Sequence, residues 1–175
     1  MVPLRYPGRR GHGCEDVTEL EKLPPKEMQR LGFLLGDWAG EMTFHHGGET
    51  HTVGARARIE PTLQGWWLCT QYVHDEAPGV GLLGGMTMLT FDADEGKYCS
   101  WEFQNKEGQA VRDTGGFKGE NLVMTSDPMV IPEMGEVILR KTFRPEGESS
   151  LRILIEMGPV GGELSTMAEG VMSRV

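Results

Sequence analysis

With 175 residues, 25 of them glycine, and a formal net charge of −9, the chain fits one domain of short strands joined by tight turns. That acidity argues against nucleic acid or an anionic membrane surface as partner, since both reward clustered cations. No apolar run approaches about 18 residues, so no membrane span is expected.

Cys14, Cys69 and Cys99 are too few and too scattered for a disulfide framework, which makes a reducing cytoplasm the expected compartment. Arg5, Arg9 and Arg10 have no apolar stretch behind them, so no export signal is expected. Residues 1–22 read as a flexible tail, polar and Gly-rich, and residues 23–175 as the folded domain.

Pro24-Pro25 opens a short helix, where a missing N–H costs nothing. Met28, Leu31, Leu34 and Leu35 give it one apolar stripe, so a helix of two or three turns from about Pro25 to Leu34 is expected to close one end of the fold.

From Trp38 the period changes to two. Trp38, Gly40, Met42 and Phe44 share one face of the first strand, and His46-Gly47-Gly48-Glu49 turns the chain. A second strand covers 52–60 and is ended by Pro61. The third, 65–74, is dense in aromatic and branched residues. Residues 75–85 read as loop, broken by Pro78 and several glycines. Strands four to seven are placed at 86–91, 97–103, 109–117 and 122–126, with Gly115-Gly116 marking a bulge or bend in the sixth. Residues 127–133 read as irregular. Strands eight to ten cover 136–143, 151–157 and 164–172.

About ten consecutive strands linked by hairpin-length turns, with few edge-blunting charges, predict an all-β fold: a single closed antiparallel up-and-down barrel. Ten strands leave more interior room than eight.

Gly36-Asp37-Trp38-Ala39-Gly40-Glu41, Leu63-Gln64-Gly65-Trp66-Trp67-Leu68, Met88-Leu89-Thr90-Phe91-Asp92 and Lys97-Tyr98 with Trp101 stand in a telling order. It resembles that of a bacterial lipocalin-like family, domain of unknown function 1579, over about Glu27 to Phe143. The resemblance implies a calycin-type barrel and no assigned chemistry. More distantly, the Gly-x-Trp-x-Gly start is similar to that of the nitrobindins, barrels that bind haem through a histidine near the C-terminus. Here the last histidine is His74, so that ligation lacks its residue and no cofactor is expected.

The expected function is binding of a small apolar or aromatic molecule in a central cavity. Trp38, Met42, Phe44, Trp67, Met86, Met88, Trp101, Ile153 and Ile155 are the candidate lining residues, with Met157 beside them. A cofactor-independent cyclase or isomerase is the alternative, with Glu102, Tyr72 and Tyr98 as candidate catalytic groups. Arg56, Arg58, Arg152 and Glu156 alternate away from the apolar faces and are expected on the outer wall. His74 is expected at the rim. His45, His46 and His51 surround a turn without forming an expected metal site. A homodimer is left open.

Overall fold

The computed structural model describes residues 23–78, 81–106, 108, 110–132 and 134–175; the tail reading for residues 1–22, Cys14 included, lies outside them. Eleven strands form one antiparallel sheet: β1 (Gly36–His46), β2 (Glu49–Thr62), β3 (Trp67–Ala77), β4 (Gly81–Asp92), β5 (Lys97–Gln104), β6 (Val111–Lys118), β7 (Asn121–Ser126), β8 (Met129–Ile131), β9 (Gly135–Pro145), β10 (Ser150–Pro159) and β11 (Ser165–Arg174). Strands pair in chain order from β1 to β7, then β7 with β9, β9 with β10, β10 with β11 and β11 with β1. That circuit closes a barrel of ten strands. The three-residue β8 lies outside it, paired only with the start of β9.

Several sequence expectations need correction. The lead-in segment Lys26–Leu34 is a 3-10 helix rather than an α-helix. Its apolar residues explain this: Met28, Leu31 and Leu34 recur every three positions, and three residues per turn stacks them on one buried face. Barrel side chains tie this segment down by bonding its carbonyls, with the Tyr98 hydroxyl donating to Glu27 O at 2.8 Å and Arg174 donating to Phe33 O at 3.3 Å. Phe33 packs edge-on against Phe117, with ring centroids 6.1 Å apart.

Within the stretch read as loop at 75–85, residues 75–77 end β3 and residues 81–85 begin β4. Within the stretch read as irregular at 127–133, Met129–Ile131 forms β8. Pro61 lies inside β2 by one residue, opposite Leu68 at the ladder's end. Gly115-Gly116 makes no bulge, since β6 pairs with β7 without interruption from Asp113 to Lys118. A Cβ on Gly115 would stand 2.0 Å from Val123 O, so β7 passes too close for any side chain there.

The closing junction is β1 against β11, in register from Trp38↔Arg174 to Phe44↔Ala168. Gly36 adopts φ +123°, and a Cβ there would meet the Arg174 guanidinium at 2.7 Å. A Cβ on Gly40 would stand 2.2 Å from Val171 O. The two glycines therefore let β11 lie against β1 where the ring closes. Trp38, only 2% exposed, donates its indole N–H to Leu34 O at 2.7 Å, and Arg174 lies 4.5 Å above its ring. The core runs from Met28, Leu31 and Leu34 through Trp38, Met42 and Phe44 to Leu122, Met124, Leu151 and Met172.

Trp38→Ala removes this indole from a closed core and is expected to cost about 3–5 kcal/mol in urea unfolding. Trp38→Phe keeps most of the apolar ring but strands the Leu34 carbonyl, and is expected to cost about 1–3 kcal/mol. Equal stability of Trp38→Phe and wild type would mean that the indole hydrogen bond contributes nothing.

Candidate functional site

The barrel holds a partly open cavity of about 190 Å³. Its wall is built from alternate residues of the strands, among them Trp38, Met42 and Phe44 of β1, Leu139 and Phe143 of β9, and Leu151, Ile153 and Ile155 of β10. Leu34 and Trp38 contribute from the end closed by the 3-10 segment.

One side of the cavity is polar. On β5 the residues that face inward are Ser100, Glu102 and Gln104. Glu102 accepts hydrogen bonds on one oxygen from the Tyr72 hydroxyl and, at 3.0 Å, from the Gln104 amide. Its other oxygen is paired with the Lys141 ammonium. Lys141 also donates to Asp113 at 2.9 Å, and that same Asp113 oxygen accepts from the Ser100 hydroxyl at 3.1 Å. A continuous chain, Tyr72–Glu102–Lys141–Asp113–Ser100, thus links β3, β5, β9 and β6. Glu102, Lys141 and Asp113 are all buried.

The backbone makes room for this chain at Gly85. Tyr72 must cross β4 to reach Glu102, and a Cβ on Gly85 would stand 2.6 Å from the Tyr72 hydroxyl oxygen. Gly85 faces Tyr72 on one side and Gln104 on the other. The glycine that reads as a loop signal is a strand residue placed where a phenol passes.

The electrostatics follow from burial and pairing. For Glu102, burial favours the neutral acid, but the Lys141 ammonium and the hydrogen bonds from Lys141, Tyr72 and Gln104 outweigh it and hold the carboxylate below its usual range. For Asp113 burial wins: although Lys141 and Ser100 favour the anion, its pKa lies above the usual value. For Lys141 burial alone would favour the neutral amine, yet Glu102 and Asp113 together keep it charged and raise its pKa. The Tyr72 phenol is pushed well above its usual range by burial and by the Glu102 charge.

His74 also lines the cavity, mid-strand in β3 rather than at the rim. Its ring lies 5.2 Å from Phe44 and 5.5 Å from Tyr72, centroid to centroid. Its Nδ1, like the second oxygen of Asp113, has no hydrogen-bond partner among the described residues. Burial lowers the pKa of His74, with the Glu102 charge opposing that shift.

Of the residues expected to line a cavity, Trp38, Met42, Phe44, Ile153 and Ile155 do so. Trp67, Met86, Met88 and Trp101 do not: the inward phase on β4 and β5 belongs to Thr87, Leu89, Ser100 and Glu102. Outside, Met86 pairs with Phe103 and Met88 with Trp101 across the ladder, while Trp67 and Trp101 lie 5.6 Å apart. Met157 is likewise absent from the cavity wall. Glu102 and Tyr72 meet in the cavity, whereas the Tyr98 hydroxyl ties β5 to the 3-10 segment.

Arg56 contributes to the cavity wall, but its side chain is 71% exposed and reaches Asp75 at 3.6 Å. Arg58 pairs with Asp37, Arg152 with Glu146, and Glu156 with Arg140, each at 2.7 Å, all away from the cavity. His45 approaches Glu169 at 3.5 Å and His51 approaches Glu49 at 3.3 Å. Among the described residues no group of three His, Cys, Asp or Glu side chains could hold a metal ion. Strands β9 to β11 carry no histidine, so the nitrobindin mode of haem ligation has no residue here.

Lys141 and Asp113 were missed at the sequence level. The signal was there for Lys141: Val137, Leu139, Lys141 and Phe143 alternate, with one charge in an apolar phase.

No family model matches this chain, and no curated protein matches it. Among solved structures it is similar to the crystal structure of Rv2717c from M. tuberculosis, with 18% identity, a TM-score of 0.67, and coverage of 87% of this chain and 99% of that one. At that identity the likeness establishes a shared fold: this chain is a closed ten-stranded antiparallel β-barrel.

Two outcomes test the site. Lys141→Met leaves Glu102 and Asp113 buried without their cation and is expected to cost about 3–5 kcal/mol in urea unfolding. His74→Phe tests the imidazole through pH. Because the folded pKa is lowered, the unfolded chain takes up the proton first, and stability falls as pH drops from about 6.5 toward the folded value. Wild type should therefore lose more stability than His74→Phe between about pH 7.5 and pH 5. Identical slopes would rule out His74 as the titrating group.

Proposed function

We propose that the barrel binds one small, mainly apolar molecule in its central cavity. The observation that carries this reading is the cavity itself, lined by Trp38, Phe44, Leu139, Phe143, Ile153 and Ile155. Its volume of about 190 Å³ sets the size of the occupant. An engineered apolar cavity of about 150 Å³ takes up benzene, so a single ring with a small substituent fits. Two free thiols, Cys69 and Cys99, support a cytoplasmic setting.

The second reading is a cofactor-independent enzyme of small-molecule metabolism. It is favoured by two carboxylates on one lysine, Glu102 held low and Asp113 held high, since such divergence separates acid and base roles. Tyr72, held against Glu102, would be a positioning group in that scheme.

Isothermal titration with cumene tests the binding reading, together with an Ile153→Trp variant that fills the cavity. Saturable binding to wild type, weakened at least about tenfold in a folded Ile153→Trp, is the expected result. Equal binding by both proteins would overturn it, as would the absence of saturable binding to wild type by both cumene and its carbonyl counterpart acetophenone.

A further inference from the structure

The polar side of the cavity narrows what the occupant can be; this step rests on the binding reading above. Lys141 is buried, with 11% of its side chain exposed, and forms part of the cavity wall. An ammonium has three N–H donors, and among the described residues two are used, by Glu102 and by Asp113. Glu102 is more fully engaged, with one oxygen accepting from Tyr72 and Gln104 and the other from Lys141. We infer that the occupant is an uncharged single-ring molecule bearing a carbonyl oxygen, and that this oxygen accepts the remaining N–H of Lys141.

Charge balance separates this class from its neighbours. Lys141 is the cluster's one cation, and Glu102 matches it. Asp113 is either neutral or a second anion, so the cluster carries no net positive charge in either state. Arg56 does not change this, because its guanidinium lies outside, on Asp75. A carboxylate would enter as an unbalanced buried anion, and breaking even with the loss of its hydration would need a partner the wall does not offer. An amine would bring a second ammonium beside Lys141 and give up its hydration to a wall that is mainly apolar. A hydrocarbon would fit the apolar wall but leave the Lys141 donor unmet. A carbonyl satisfies the donor and adds no charge, and a hydrogen bond from a charged donor is about twice as strong as a neutral one.

Four probes of one shape test this on the native protein: cumene, acetophenone, benzoate and α-methylbenzylamine. Acetophenone is expected to bind at least as tightly as cumene, although its carbonyl must be taken from water. Benzoate and the amine are each expected to bind at least about tenfold more weakly than acetophenone. The infrared carbonyl stretch of bound acetophenone should fall below its position in an alkane solvent, as a hydrogen bond from an ammonium requires.

Cumene binding more than about tenfold tighter than acetophenone would overturn the inference while leaving the binding reading intact. So would an alkane-like carbonyl stretch, or tighter binding of benzoate or the amine. Failure of all four probes would sink both. In a folded Lys141→Met, the carbonyl stretch should return to its alkane position while cumene still binds. The infrared result on wild type decides the matter should that variant not fold.

Discussion

Ring closure between the first and last strands is the constraint on which the rest of the molecule depends. A sheet of ten strands left open would present two unpaired edges; β1 against β11 removes both. The contact is close because two positions carry no side chain. Gly36 leaves room for the Arg174 guanidinium and Gly40 for the backbone at Val171. Arg174 then lies over Trp38 and donates to carbonyls at the end of the 3-10 segment, while the final residue's N–H bonds Asp37 O at 3.0 Å. One residue near the C-terminus thus locks the ring, the indole and the segment that closes one end.

Much of that frame is legible in the chain itself. The first strand alternates Trp38, Gly40, Met42 and Phe44 on one face, and three of these line the cavity. Period two works there because the inward face is apolar and the outward face is polar. On β5 the same rule inverts. Trp101 and Phe103 look like core and lie outside, whereas Ser100, Glu102 and Gln104 look like surface and lie inside. The inversion depends on Lys141, which reaches Glu102 from 39 residues further along the chain. A strand's own pattern holds no record of a partner contributed by another strand. The glycines misled for a related reason: Gly85 and Gly115 mark close approaches across the sheet, not a loop or a bulge.

The closing seam and the polar chain play different energetic parts. Burying Trp38, Leu31 and Leu122 gains free energy from apolar area removed from water. Burying Glu102, Lys141 and Asp113 loses their hydration, and the gain from pairing roughly offsets that loss. An apolar set of similar volume would hold the barrel at least as well. The charges therefore specify the character of the cavity more than they sustain the wall around it.

The path of that chain also bears on how the barrel breathes. β7 joins β9 through only four residue pairs, Leu122 to Thr125, the shortest ladder in the ring. Lys141 spans this joint from inside, starting on β9, passing over β7 and ending on β5 and β6. Parting the short ladder would pull an ammonium away from Glu102 and Asp113, so the buried pairing resists separate opening of this joint. Amide protons of β7 would then exchange as slowly as those of the longest strands, and a structure drawn as a set of separate staves would behave in solution as a hooped cask.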